Sequence, residues 1–464
     1  MIETALLSGL DALLGEAAAR GRRTLASVTR EVEIEDPSGA IFASRLAGDR
    51  WFCWEQPDRD GFALAGIGSV AEVVSRGRSR FADVVADCSD LTQDRIADEP
   101  ADLPAAAGPV WVGGFAFDED GGAESHWSSL PPALLFLPRL SIARVEGRCH
   151  LTLSAVIEPG ADPETERAAV EARLAGLSDA SLPMLDPSPA AGTRVRSVRS
   201  PGDFERAVER GVERIRGGDF EKVVLAREVE VVSGAAHDTA ALFGALRDLF
   251  PACFCFCVGT PEAAFVGASP ELLVRRSGAV AATVALAGST RRSADPAVDD
   301  HLGEQLLRSD KDRHEHEIVA QRIERTLRPH SVWVEPAESP GLVTVVNIQH
   351  LATPIHAQLA EPRSAVELAT LLHPTPAVGG EPREAAVPAI AELERMDRGW
   401  YAGPVGWMDA AEDGEFCVAI RSALIRDRTA RLFSGCGIVA DSDPAAELAE
   451  SEIKLEALLP LLAG

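Results

Sequence analysis

The chain lacks the surplus of positive charge that marks proteins binding nucleic acid or anionic membranes. It carries 45 Lys and Arg against 72 Asp and Glu, a formal net charge of −27, and both of those partners require a basic surface. No apolar run reaches the roughly 18 residues that a membrane span needs, and the first residues lack the order of a signal peptide. For an anionic substrate, we therefore expect local compensation by a divalent cation or a few basic side chains.

The cysteines are also too scattered for a zinc site. None of the eight forms a Cys-x-x-Cys pair, and Cys253, Cys255 and Cys257 alternate with phenylalanines in a strand-like run. That spacing predicts thiols packed on one face of a strand. Free thiols fit a reducing compartment, so we expect a cytoplasmic protein.

Several catalytic signatures are missing. The sequence contains no His-Glu-x-x-His, no Gly-x-Ser-x-Gly, no Gly-Lys-Ser/Thr phosphate loop and no Gly-x-Gly-x-x-Gly, which disfavours hydrolase, kinase and dehydrogenase chemistry. On a helix His314 and His316 would point about 200° apart, so we do not expect them to share an ion. Gly435-Cys-Gly437 has no neighbouring base in sequence and indicates a tight backbone passage rather than a nucleophile.

The first half of the chain, residues 1–199, has short strands and little visible chemistry. Hydrophobic residues make up 46% and charged residues 25% of the 464 residues, as in ordinary soluble globular proteins. The expected elements are strands at Ala40–Phe52 and Val110–Phe117, a hairpin over Leu140–Val156 that turns at Glu146-Gly147, a helix at Pro163–Leu177 and a surface connection at 178–200.

The second half, residues 200–464, interleaves helices with longer strands. Because the β-runs dominate, we predict an α+β fold with antiparallel sheets packed face to face and helices outside. Length alone suggests about three domains. The expected elements are helices at Gly202–Arg216 and Leu302–Leu327, strands around Lys222, Cys253–Val258 and Glu271, strands at Val343–Gln349, Glu415–Ile425 and Arg431–Ser434, and a last helix from an Asp443 cap to Leu462.

Lys222 is the first candidate catalytic residue. It lies in Phe220-Glu-Lys-Val-Val-Leu-Ala-Arg227, where strand alternation places it on one face with Val224 and Ala226. An apolar face lowers a lysine pKa from its usual value of about 10.4, as a general base near neutral pH requires. The alternative is a lysine at a strand end whose amine reaches solvent.

Glu271 is the second candidate. It ends Val266-Gly-Ala-Ser-Pro-Glu271, a strand that runs into a turn, where burial would raise the carboxyl pKa and keep a proton available. A base and an acid tuned in opposite directions would let one pocket remove one proton and deliver another. The alternative is a turn glutamate that is simply solvated.

Four carboxylates are candidates for a metal site. Glu447 and Glu450 lie three apart on the last helix, away from its leucine stripe, and Asp312 and Glu315 repeat this spacing on another helix. Carboxylate oxygens are suitable ligands for Mg²⁺. Taken alone, Glu450 and Lys454 would be a solvated surface pair.

Three strings rich in Gly and Pro are the densest signals, although such residues can merely shape turns. They are Leu371-Leu-His-Pro-Thr-Pro-Ala-Val-Gly-Gly380, Arg398-Gly-Trp-Tyr-Ala-Gly-Pro-Val-Gly-Trp407 and Cys417-Val-Ala-Ile-Arg-Ser422. With Lys222 and Glu271, these strings resemble the chorismate-utilising enzymes over roughly residues 200–462, and the first two resemble the isochorismate synthases of that family.

The resemblance implies one chorismate-binding fold over residues 1–464, to which the first half contributes strands, and this replaces the estimate of three domains. It implies that Lys222 activates water for attack at C2 of chorismate, and that Glu271 protonates the leaving C4 hydroxyl. Glu315 and Glu450 would be the Mg²⁺ ligands, with Glu447 and Asp312 as nearby carboxylates. The implied substrate-binding residues are Gly288, Ser289, His350, Ala377, Tyr401, Arg421, Gly435 and Lys454.

Three other functions stay open. A salicylate synthase would share the lysine, the glutamate and Mg²⁺ but would also expel pyruvate; the string Thr375-Pro-Ala-Val-Gly379 favours isochorismate synthase instead. An ammonia-using synthase would need a glutaminase partner, and Lys222 argues against it. A catalytically silent scaffold is disfavoured by the intact candidate residues. The resemblance further implies a monomer, and it leaves open whether the product feeds menaquinone or a catechol siderophore.

Overall fold

The computed structural model describes residues 2–186, 188 and 192–464. The α-helices in this part of the chain are α1 (Ile2–Ala19), α2 (Pro37–Ala43), α3 (Arg80–Gln93), α4 (Pro163–Ala175), α5 (Pro201–Arg216), α6 (Thr239–Leu249), α7 (Pro296–Arg308), α8 (Asp310–Leu327), α9 (Ala365–Leu372), α10 (Arg383–Glu394), α11 (Pro444–Leu455) and α12 (Leu459–Ala463).

The strands lie between and beside these helices. They are β1 (Thr24–Val32), β2 (Trp51–Gln56), β3 (Phe62–Ile67), β4 (Ala71–Ser75), β5 (Ile96–Asp98), β6 (Val110–Phe115), β7 (Ala133–Leu137), β8 (Leu140–Val145), β9 (Arg148–Ile157), β10 (Arg194–Ser197), β11 (Lys222–Val232), β12 (Phe254–Gly259), β13 (Ala264–Ser269), β14 (Leu272–Ser277), β15 (Val280–Arg291), β16 (Ser331–Pro336), β17 (Gly341–Thr344), β18 (Ile348–Leu359), β19 (Gly380–Glu381), β20 (Pro404–Asp409), β21 (Gly414–Val418), β22 (Ser422–Arg426) and β23 (Thr429–Ile438).

Two large sheets contain all of these strands. The first has the order β10-β11-β23-β22-β13-β12-β2-β3-β8-β9-β1-β5, with β19 paired to β11. The second has the order β16-β18-β15-β14-β21-β20-β6-β7-β4, with β17 paired to β18. Apart from the parallel β1–β5 pair, the ladders are antiparallel. The α+β class with large antiparallel sheets is therefore confirmed, and both halves of the chain supply strands to both sheets.

The first sheet buries a different set of residues on each face. On one face Phe62 of β3 stacks on Trp407 of β20, which belongs to the second sheet, with ring centroids 6.0 Å apart. On the other face, Cys255 and Cys257 belong to a second core with the apolar residues of α1, α4 and α6. The expected packing of these thiols on one strand face is confirmed.

Two expected elements are wrong, one in each half of the chain. Ala40–Phe52 is not a single strand, because α2 occupies its beginning and Asp36 caps that helix by accepting from the backbone N–H of Gly39 at 2.9 Å. The expected helix Leu302–Leu327 is broken at Ser309, whose hydroxyl caps α8 through the N–H of Asp312. Local caps thus override the longer hydrophobic pattern in both places.

Other boundaries also differ from expectation. Val343–Gln349 contains the end of β17 and the start of β18, Glu415–Ile425 contains two strands, and the last helix ends at Leu455 before α12 resumes at Leu459. The connection at 178–200 includes β10, and its residues 187 and 189–191 lie outside the described residues. The hairpin at Glu146-Gly147 and the Asp443 cap are confirmed. None of the described helices is both long and apolar enough to cross a bilayer.

Candidate active site

One cavity lies where β11 and β23 of the first sheet meet β15 of the second and helices α8 and α11. Its lining includes Glu271, both proposed direct metal ligands and every residue that the sequence suggested for substrate binding. These residues are Gly288, Ser289, Glu315, His350, Ala377, Tyr401, Arg421, Gly435, Glu450 and Lys454. Lys222 is buried directly behind this lining, and Asp312 and Glu447 lie outside it.

Lys222 begins β11 and is completely buried. Its Nζ lies 2.8 Å from Oε1 of Glu315 on α8, in an ion pair without hydrogen-bond geometry. The predicted burial of the amine is thus confirmed, and the structure adds an anionic partner that is 93 positions away in the numbering.

Gly437 is what allows these two side chains to meet. It faces Lys222 from β23, and a Cβ added to it would lie 2.2 Å from Oε1 of Glu315 and 2.9 Å from Cε of Lys222. From the sequence, Gly437 was expected only to belong to a tight backbone passage. The Gly435-Cys-Gly437 string was the available signal for a close approach.

Glu271 follows β13 at the turn into β14 and is almost fully buried. Burial raises its carboxyl pKa to about 7, although the charge of Lys222 and a hydrogen bond from Thr375 oppose the rise. Thr375 donates its Oγ1 hydroxyl to Oε1 of Glu271 over 3.4 Å. The predicted direction of the Glu271 pKa is therefore confirmed. The charge of Lys222 acts on the Glu271 carboxyl group, so the two side chains interact electrostatically.

Helices α8 and α11 bring the four carboxylates together. Burial raises the pKa of both Asp312 and Glu447, and the negative charges of neighbouring carboxylates raise these values further. For Glu450, burial is outweighed by the charge of Lys454 and by hydrogen bonds from Lys454 and Ser289, so its pKa falls to about 2. The four groups thus form one electrostatically coupled cluster.

Lysine is rare in this chain, and the cluster holds all of it. The sequence contains three lysines, and each lies against one carboxylate of the cluster: Lys222 against Glu315, Lys311 against Glu447 at 3.3 Å, and Lys454 against Glu450 at 2.7 Å. Lys311 could not be recognised as part of the site from the sequence, because its partner is on another helix.

A thiol that the sequence did not indicate also lies against the carboxylate cluster. Cys436 of β23 places its Sγ and the carboxylate oxygens of Glu447 and Glu450 within 4.8 Å of one another. Its thiol donates to the backbone carbonyl of Glu447 at 3.2 Å. Burial raises the pKa of this thiol well above its ordinary value, so it is protonated at neutral pH.

Arg421 reaches the cavity from the break between β21 and β22, where its backbone has a φ of +51°. Its guanidinium donates to Nε2 of His350 at 3.2 Å, and Nδ1 of the same ring lies 3.3 Å from the Gly288 carbonyl. Burial and the charges of Arg421 and Lys454 lower the His350 pKa to about 3. The imidazole is therefore neutral and accepts through Nε2 while donating through Nδ1.

Lys454 and Tyr401 lie beside Gly435. Lys454 donates to the Gly435 carbonyl at 2.9 Å, and a Cβ on that glycine would lie 3.2 Å from Oη of Tyr401. Burial raises the pKa of the Tyr401 phenol to about 12, so it is a hydrogen-bond donor at neutral pH. The contacts found for Gly288 and Gly435 thus use their carbonyl groups.

A buried ion pair lies behind the cavity wall. Arg398, three residues before Tyr401, and Glu394 at the end of α10 have side chains that are 3% and 1% exposed. Arg398 also donates to the carbonyl groups of Val224 and Val378, which both line the cavity. Arg398 lies in one of the strings that carry the family resemblance, but no role for it follows from the sequence.

Comparison with known proteins identifies the family to which the chain belongs. The model of the family described as chorismate binding enzyme matches residues 12–463. The chain belongs to the chorismate-binding enzymes. It is 34% identical to the isochorismate synthase MenF of Bacillus subtilis over 446 residues, covering 95% of this chain and 94% of that protein.

Two further members of the family are similar over nearly the whole chain. The salicylate biosynthesis isochorismate synthase of Pseudomonas aeruginosa is 36% identical over 479 residues, covering 99% of this chain and 94% of that protein. The structure of MenF, the menaquinone-specific isochorismate synthase from Escherichia coli, matches with a TM-score of 0.80 and 27% identity, covering 98% of this chain and 100% of that one.

We expect Gly437→Ala to destabilise this chorismate-binding enzyme, because the new methyl group overlaps the Glu315 carboxylate. Overpacking of this kind costs about 1–3 kcal/mol, and urea unfolding would measure the loss. The matched control is Gly211→Ala in α5, where the nearest atom to the new Cβ is 3.5 Å away and alanine is the better helix former. Equal stability of the two variants would contradict the close approach.

Proposed function

We propose that the protein is a magnesium-dependent isochorismate synthase, which adds water at C2 of chorismate and removes the C4 hydroxyl as the ring double bonds shift. The observation that carries this proposal is that Glu271 lines one cavity together with basic groups and carboxylates, while Lys222 is buried directly behind that lining, against Glu315. The names of the relatives in Bacillus subtilis and Pseudomonas aeruginosa support the same reaction.

Lys222 is the proposed base. It would take a proton from the water that attacks C2, and the Glu315 carboxylate 2.8 Å from its Nζ would stabilise the ammonium that forms. Complete burial excludes bulk water from the amine. The nucleophile is then the water held in the cavity, so no glutaminase subunit is required.

Glu271 is the proposed acid. With a pKa of about 7, a large fraction of this carboxyl group carries a proton at neutral pH, and that proton would go to the departing C4 hydroxyl. The hydrogen bond from Thr375 holds one carboxyl oxygen and orients the other. A carboxyl group with an ordinary pKa of 4.5 would be almost fully ionised under the same conditions.

Tyr401, Arg421 and Lys454 are the proposed partners of the two substrate carboxylates. All three are buried or nearly so beside the cavity and present donors to it. The neutral His350 ring supports Arg421 without adding a competing charge. A planar guanidinium suits bidentate binding of a carboxylate.

The carboxylate cluster fits a hard divalent cation. Glu315 and Glu450 line the cavity and would be its direct ligands, while Asp312 and Glu447 stand behind them. Burial and then the charges of neighbouring carboxylates raise the pKa of Asp312 and Glu447. The four carboxylates also outnumber the three lysines that lie against them. When bound, Mg²⁺ would neutralise this charge and that of the substrate ring carboxylate.

One assay separates this function from its rivals. Chorismate is incubated with the protein and Mg²⁺, and the products are separated by chromatography. Isochorismate alone supports the proposal, salicylate with pyruvate indicates a salicylate synthase, and an aminated product that requires ammonia indicates an aminating synthase. No turnover would leave only a binding protein.

We expect both Lys222→Ala and Lys222→Arg to lower kcat by roughly 10²–10⁴-fold, the range of a lost general base. Arginine places a permanent cation beside Glu315, because it does not give up its proton near neutral pH. Chorismate binding in the presence of Mg²⁺, measured by calorimetry, should change little. Turnover near that of the unmodified protein in either variant would remove Lys222 as the base.

We expect kcat/KM to fall as the pH rises through about 7, because Glu271 must be protonated to act as the acid. The hydrogen bond from Thr375 lowers the Glu271 pKa, so Thr375→Val should move this decline to higher pH. The control is Thr370→Val on α9, whose hydroxyl bonds only the Val366 carbonyl. A decline at the same pH in both variants would contradict the role of Glu271.

We expect Glu450→Gln to weaken Mg²⁺ binding by at least about 10–100-fold, the loss typical even of residues that only support ligands. Glu452→Gln is the matched control, since Glu452 lies on the same helix with a side chain 59% exposed and pairs with Arg227. Direct Mg²⁺ titration by calorimetry and the Mg²⁺ dependence of turnover measure the effect. An unchanged titration would remove Glu450 from the ligand set.

A further inference from the structure

Two walls of the cavity share only a short stretch of regular backbone pairing. One wall is β11, which carries Lys222 and Val224. The other is the segment between α9 and β19, which carries Thr375, the hydrogen-bond donor to Glu271, and Val378. The direct backbone contact between the walls is the bond from the Val224 N–H to the Gly379 carbonyl at 2.8 Å, with the short β11–β19 pairing next to it.

The buried Glu394–Arg398 pair joins these walls from behind. Arg398 donates to the Val224 carbonyl at 2.9 Å and to the Val378 carbonyl at 2.8 Å, and its Nε donates to Glu394 at 3.0 Å. Glu394 in turn accepts from the Ala226 N–H at 2.6 Å. One side-chain pair thus holds the backbone of both walls.

The chemistry of the pair suits positioning rather than catalysis. Neither side chain lines the cavity, so neither would touch substrate. The guanidinium is planar with its donors in a fixed fork, and its plane lies over the Phe117 ring with its centre 4.2 Å from the ring centroid. Buried ion pairs often add little net stability compared with apolar residues of similar volume, so stability alone does not account for this arrangement.

We propose that Glu394 and Arg398 are positioning residues, which set the distance between the wall bearing Lys222 and the wall bearing Thr375. The inference rests on the proposed function, because the spacing matters for a base on one side of a ring and an acid held from the other. The cations Arg421 and Lys454 lie on elements that the pair does not contact. Arg398 meets the third proposed substrate partner, Tyr401, through its backbone carbonyl and over the face of the ring, 5.9 Å from the centroid, rather than at the phenol oxygen. Loss of the pair should therefore lower kcat and leave the KM for chorismate nearly unchanged.

The first test is Arg398→Lys, whose single ammonium group cannot reach both carbonyl groups and Glu394 with the same geometry. We expect kcat, normalised to the folded fraction, to fall at least tenfold while KM stays within about threefold. The control is Arg247→Lys, which perturbs another largely buried cluster, with Asp36 and Glu55, and should lower the melting temperature without changing kcat. An unchanged kcat in Arg398→Lys would overturn the proposal.

A double variant separates position from stability. Glu394→Gln combined with Arg398→Met removes both buried charges and keeps an oxygen that can accept from the Ala226 N–H. We expect its melting temperature to recover relative to Arg398→Met alone while kcat stays low. Recovery of kcat together with the melting temperature would show that the pair only stabilises the fold, and would overturn the proposal.

Amide hydrogen exchange tests the pair without reference to turnover. In Arg398→Lys, exchange should accelerate at residues 222–227 and 375–380 more than elsewhere, and Arg247→Lys should not reproduce this pattern. Uniform or unchanged exchange would overturn the positioning role. If the unmodified protein makes no isochorismate but exchange accelerates as expected, the proposed function fails and the positioning of the walls stands.

Discussion

The antiparallel ladder between β11 and β23 is the constraint on which the rest of the site depends. It pairs Val223 with Ile438 and continues to Val232 opposite Thr429. This register places the strand that begins with Lys222 beside the two cavity glycines, Gly435 and Gly437. Since a shift of one residue would turn every side chain to the opposite face, the position of Lys222, the placing of the two glycines in the cavity and the approach of α8 all depend on this one pairing.

The site concentrates positive side chains that the net negative charge of the whole protein does not suggest. The chain has a net charge of −27, yet its three lysines all lie against the carboxylates of one cluster. Burial lowers the effective dielectric, so these charges act on one another more strongly than exposed pairs do. The same burial lets Glu271 hold a proton near neutral pH while Glu450 stays ionised. The surroundings of these two glutamates thus shift their pKa values in opposite directions.

The cavity also coincides with irregular backbone. The ladder of β15 shifts between Ala287 and Ser289, and Gly288 between them has a φ of +72°. The break after β21 leaves Arg421 in the left-handed region. Regular strands alternate their side chains between faces, so a bulge or a break is needed to aim neighbouring groups into one pocket. The Glu394–Arg398 pair supports another irregular segment, the one between α9 and β19, through the Val378 carbonyl.

The sequence by itself determined what depends on neighbours along the chain. Alternation around Lys222, the Cys253–Cys257 run, the hairpin turn at Glu146-Gly147 and the Asp443 cap all follow from local periodicity and turn chemistry, and the structure bears them out. Motif resemblance placed Glu271 and the substrate-binding residues in one site. The family pattern alone was enough to predict that these residues share a cavity.

Only the tertiary structure decided which distant groups meet. The partner of Lys222, the close approach at Gly437, the Lys311–Glu447 contact and the clamp by Arg398 join residues from separate elements. Hydrophobic periodicity reports which face of an element is buried, but not what lies opposite that face. Burial and charge at a site are sums over such contacts, so they are decided when the two sheets and their helices close around it.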